Sequence, residues 1–84
     1  MYIYTEQKEI LFTDVGQRGF LKVRDNVRNL LEIAGAFEAG KAWEGISESS
    51  WFLLTCMDRL VELREIKELT PPDTCFQYKI YTNV

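Results

Sequence analysis

The chain has 84 residues, of which 46% are hydrophobic and 13% aromatic, with a formal net charge of −3, two cysteines and no histidine. That content suits one packed domain with a small core and argues against a disordered chain. The absence of histidine excludes Ser–His and Cys–His nucleophilic catalysis and, with two cysteines alone, a usual structural zinc site.

Met1–Thr13 reads in two ways. Tyr2 and Tyr4 alternate with Met1 and Ile3, as in a short strand, and Ile10-Leu11-Phe12 is a second apolar run. The two runs form a hairpin across Glu6-Gln7-Lys8, or the second leads straight into a helix. This stretch lacks the basic region and apolar core of a signal peptide, and no apolar run reaches the roughly 20 residues that span a bilayer. A cytoplasmic location without a membrane partner is expected.

A first long helix is predicted from a capping box at Asp14-Val15-Gly16-Gln17 to about Ala34. Phe20, Val23, Val27, Leu30, Leu31 and Ala34 recur at spacings of three and four, the stripe of a helix with one buried face. Gly35 stands where a left-handed residue ends a helix. Ala36–Glu44 reads as a shorter second helix with Ala36, Ala39 and Trp43 on one face, and Gly45 as a turn residue.

Ser47–Leu63, SESSWFLLTCMDRLVEL, is the longest apolar-rich run, with Ser47, Ser49 or Ser50 as its cap. On a helical wheel Phe52, Leu53, Leu54, Cys56, Met57, Leu60, Val61 and Leu63 cover roughly 200°. An arc that wide requires at least two packing partners. Glu48, Trp51, Thr55, Asp58, Arg59 and Glu62 are left on the outward face. Cys56 falls on the apolar side as a small core residue, and a Cys56–Cys75 disulfide is poorly motivated in a cytosolic chain. Ile66–Leu69 and Phe76–Tyr81 then pair as a hairpin around Thr70-Pro71-Pro72-Asp73-Thr74. Cys75–Thr82 alternates, with Phe76, Tyr78, Ile80 and Thr82 on one face.

Three helices followed by a two-stranded hairpin resembles the winged helix-turn-helix family. SSWFLLTCMDRLVELREIKELT, then FQYKIYT, is similar to the end of such domains, where the third helix closes in a leucine-rich pattern before the wing. Leu60, Leu63 and Ile66 match that pattern, and Arg64 takes the place of its usual glycine. The resemblance implies a three-helix winged-helix-like fold: an N-terminal strand or arm over 1–13, helices over about 14–63 and a wing over about 65–82.

It also implies a small DNA-binding or transcription-regulatory module whose third helix enters the major groove. Ser49, Ser50, Thr55 and Arg59 would then face DNA, with Arg24 and Arg28 on the backbone. Arg18, Lys22, Arg24 and Arg28 against Asp25 make the most basic stretch. The charge of the third helix points elsewhere, because Asp58, Glu62 and Glu48 outnumber Arg59 and the wing loop carries only Asp73. The alternative is a protein–protein module, an adaptor or homodimer, working through Trp51, Thr55, Asp58 and Glu62, since tryptophan is enriched at interface centres. Glu62, Glu65 and Glu68 build no evident cleft. Neither enzyme activity nor a cofactor, metal or small-molecule ligand is expected.

Overall fold

The computed structural model describes residues 1–84. The N-terminal alternation does not make a strand: Tyr4–Gln7 form a one-turn helix, α1, and Lys8–Phe12 continue as a 3-10 turn. The tyrosine hydroxyls find partners on a helix instead of lining one face of a strand. Leu11 is the one fully buried residue of this arm, at 1% exposure.

Helix α2 spans Asp14–Ala34. Its cap is Thr13 rather than Asp14: the Thr13 hydroxyl accepts from the Gly16 N–H at 3.0 Å and donates to the Ile10 carbonyl at 2.8 Å. Gln17 does not close a capping box but donates from Nε2 to the Leu11 carbonyl at 2.7 Å. Both bonds tie the arm to the helix, which is why the cap falls one residue early; Asp14 becomes the first helical residue, where its charge still suits the helix dipole. Phe20, Val23 and Val27 are buried, Leu30 and Leu31 half-buried, and Ala34 exposed. Gly35 ends the helix at φ 75°, its N–H bonded to the Leu31 carbonyl.

Ala36–Glu44 is not one helix. Ala36–Glu38 form a strand, β1, and only Ala39–Ala42 a helical turn, α3. The composition AFEAGKA favours helix locally. The left-handed turn at Gly35 redirects the chain along a sheet edge, where backbone pairing and the burial of Phe37 outweigh that preference. Helix α4 spans Ser50–Glu62. Leu53, Leu54, Thr55, Cys56, Met57 and Leu60 are buried, Phe52 and Val61 half-buried, and Leu63 exposed. The helix packs on α2, α1, the 3-10 turn and β2 (Ile66–Glu68), so its wide apolar arc has the several partners it needs.

The C-terminal strand β3 is shorter than the alternation predicts, Ile80–Asn83, because Phe76–Tyr78 coil into a 3-10 turn that brings Phe76 against Trp43, ring centres 5.9 Å apart. The sheet is antiparallel with order β1-β3-β2. In the hairpin Ile66 pairs with Asn83 and Glu68 with Tyr81, a register two or more residues beyond the expected one. Tyr81 points inward, fully buried and stacked on Phe37 at 6.0 Å, while Ile80 on the opposite face is exposed. The result is an α+β architecture of four helices and a three-stranded sheet around one core, joining Leu11, Val23, Val27, Phe37, Met57, Leu60, Ile66 and Tyr81. No helix is long and apolar enough to cross a membrane.

Candidate functional site

Helix α4 is where the sequence places function, and the fold leaves only its ends open. The Ser49 hydroxyl caps the helix, accepting from the Phe52 N–H at 3.2 Å. Ser50 is exposed at the first turn and Trp51 is 44% exposed beside it. Thr55 is not on the outward face. It is fully buried, and its hydroxyl donates to the Trp51 carbonyl at 2.6 Å, so it offers nothing to a DNA or protein partner. The wheel put it outside because it assumed one open face, and that face is roofed.

The roof is the N-terminal arm. The Tyr2 hydroxyl donates to Asp58 at 2.6 Å, and the Tyr4 hydroxyl donates to Glu62 Oε1 at 2.9 Å. Lys8 Nζ pairs with Glu62 Oε2 at 2.9 Å. Arg59 donates to Glu62 at 2.6 Å and lies over the Phe12 ring, 5.3 Å from its centre. The Tyr2 ring meets Trp51 edge-on at 6.2 Å. Donors from Lys8, Arg59 and Tyr4 hold the Glu62 carboxyl down to about 2. Asp58 shifts the other way: burial raises it, against the opposing pull of the Tyr2 hydroxyl and Lys79. Burial, then the bond to Glu62, pushes the Tyr4 phenol up to about 12. Asp58, Arg59 and Glu62 are thus brought together, but toward the chain itself.

The other nominated cations are also paired. Arg24 bonds Asp25 at 3.2 Å, and Arg28 bonds Glu65 through two nitrogens at 3.2 and 3.1 Å. With Lys41–Glu44 and Lys79–Glu68, six of the ten Lys and Arg side chains are in ion pairs. Lys79 is buried at the base of the Thr70–Thr74 loop, held by Glu68 and the Pro72 carbonyl. Arg18, Lys22, Arg64 and Lys67 have no ion-pair partner.

A surface that sequence reasoning missed lies at the N-terminal end of α4. Gly16 and Gly19 let α2 come close to two neighbours: a Cβ on Gly16 would stand 1.8 Å from the Ile10 carbonyl oxygen, and one on Gly19 would stand 2.7 Å from the Phe52 ring. The close approach leaves a groove of about 290 Å³ lined by Ile10, Thr13, Val15, Gly16, Glu48 and Phe52. A second groove, about 370 Å³, continues from Val15 and Glu48 past Arg18 and Lys22 to the Gly45–Ser47 loop. Ile10, Phe12 and Val15 are 50%, 57% and 68% exposed. The signal available in the sequence was the small-residue pair Gly16 and Gly19 inside an otherwise regular helix.

No three His, Cys, Asp or Glu side chains are placed to share a metal ion. Cys56 is buried, its thiol pushed up to about 12 by burial; Cys75 is exposed, and both are free. Comparison with protein-family models, with curated proteins and with solved structures returned no match.

Proposed function

We propose that this protein is a winged-helix-like protein-interaction module, with its contact surface at the N-terminal end of α4. The succession α2, α3, α4 and then the β2–β3 hairpin supports the winged-helix resemblance. The observation that carries the functional reading is the arm: it half-buries Asp58 and Arg59 and engages Glu62 at the surface, on the face that a DNA-reading helix would need free. What stays open beside it is aromatic and apolar: Trp51, with Phe52, Val15 and Ile10 around the corner. Aromatic anchors ringed by polar groups are the usual centres of protein interfaces.

The second reading is duplex DNA binding, which Arg18 and Lys22 favour because they carry charge not already neutralised. Fluorescence anisotropy with a mixed-sequence duplex at low salt separates the two. The interaction reading expects no binding below about 100 µM, the weak end of ordinary non-specific affinity. Tight binding that weakens steeply with added salt would replace it with the DNA reading.

A further inference from the structure

We propose that the groove between the Lys8–Phe12 turn, the start of α2 and the start of α4 holds a segment of a partner protein that carries an apolar side chain with carboxylates to one side of it. The inference rests on the interaction-module reading and names what that module takes. One end of the groove is apolar, walled by Ile10, Val15 and Phe52, with a volume suited to one or two side chains. Ile10 and Val15 are exposed and Phe52 half-buried, and Gly16 and Gly19 keep the floor low. Filling the groove removes apolar surface from water without moving the fold.

The other end supplies the polarity. Arg18 and Lys22 stand one helical turn apart on α2 and line the continuation of the groove, and neither is paired. In a chain of net charge −3, with most cations already engaged, this stretch keeps two unpaired cations against the single carboxylate of Glu48, and a partner's acid meets net positive charge there. Glu48 lines both ends and repels a second acid placed beside the anchor. The segment therefore places its apolar anchor against Ile10, Val15 and Phe52 and its acids over Arg18 and Lys22. Charge complementarity of this kind sets orientation and selects against basic segments.

A displayed library of random dodecapeptides, selected on the full chain, tests the assignment. Selected peptides are expected to share an apolar residue with Asp or Glu close by on one side of it. In isotope-labelled protein they should shift the amide signals of Ile10, Val15, Gly16 and Phe52. Val15→Asp, and Arg18→Glu with Lys22→Glu, should each weaken binding at least about tenfold. These side chains are exposed, so thermal unfolding should not change and loss of binding is not loss of fold. Peptides that shift only Ser50 and Trp51 would overturn the groove assignment while leaving the interaction module standing. Concentration-dependent shifts at the groove without peptide would name a second copy as its occupant and overturn it too. No peptide, together with duplex DNA binding abolished by the charge reversals, would remove both readings.

Discussion

The Tyr2 hydroxyl lies 2.6 Å from an Asp58 carboxylate oxygen, joining the N-terminus to the middle of α4 across 56 positions of sequence. Around that bond the arm is held mostly by polar contacts: α1 buries no residue, and Leu11 alone enters the core. The arm is therefore both the cover of α4 and a part of the fold with little apolar attachment.

Tyr2→Phe is expected to cost about 1.5–3 kcal/mol, the usual worth of a hydrogen bond to a charged acceptor. It should also raise the Asp58 pKa further, because the bond it removes favours the ionised form. Urea unfolding and an NMR pH titration of Asp58 measure the two effects, and hydrogen exchange should quicken over α1 while α2 stays protected. An unchanged Asp58 titration would mean that the bond does not hold the arm.

Acid should loosen the arm through Glu62. Its folded pKa of about 2 lies below the ordinary 4.5, so its contribution is present above pH 4.5 and fades as pH falls through about 2. Asp58 works in the opposite sense: with a raised folded pKa it takes up its proton more readily when folded, which favours the folded state as the solution is acidified. The stability difference between wild type and Glu62→Gln should shrink steadily from pH 5 toward pH 2. A constant difference in the urea midpoint would show that Lys8, Arg59 and Tyr4 do not act through that charge.

The two thiols should separate in a labelling experiment. Cys75 is exposed, and Cys56 is buried with its thiol pushed up to about 12. A disulfide reagent at neutral pH should modify one thiol at once and the second only as fast as the chain unfolds. Rapid reaction of both would place Cys56 outside the core.

Backbone conformation yields a paired test. Arg64 adopts φ 61°, with its N–H bonded to the Val61 carbonyl and the Glu65 N–H bonded to the Leu60 carbonyl, the pattern of a left-handed helix terminus. Arg64→Gly should stabilise the protein by about 1 kcal/mol, whereas Gly35→Ala, at φ 75° with open space around it, should destabilise it by a similar amount. Gly16→Ala should cost more, about 2–3 kcal/mol, because its Cβ meets a backbone carbonyl that cannot move alone. Thermal or urea unfolding of the three variants reads the ranking directly.

The parts of the fold legible in the sequence are those written in local pattern. The stripe of α2, its stop at Gly35, the serine cap and apolar arc of α4, and the exposed Trp51 follow from spacing and from single-residue preferences. Of the residues the sequence nominates on α4, Ser49, Ser50 and Trp51 stand exposed at its N-terminal end. Thr55, Asp58, Arg59 and Glu62 share one face of α4, as the wheel places them, but no periodicity reveals that a distant segment lies on it. Arg24 and Arg28 likewise look like free cations until Asp25 and Glu65 are found beside them.

By itself the sequence determined that the chain builds a small α+β core around α4, because apolar spacing and caps act within a few residues and need no partner. Tertiary structure decided three matters. Ala36–Glu38 is a strand because β3 offers it an edge, α4 is covered because Tyr2, Tyr4 and Lys8 find acceptors on it, and the open groove sits where two glycines let α2 approach its neighbours. Each depends on contacts between residues far apart in sequence, whose free energy outweighs the local preferences that a single sequence displays.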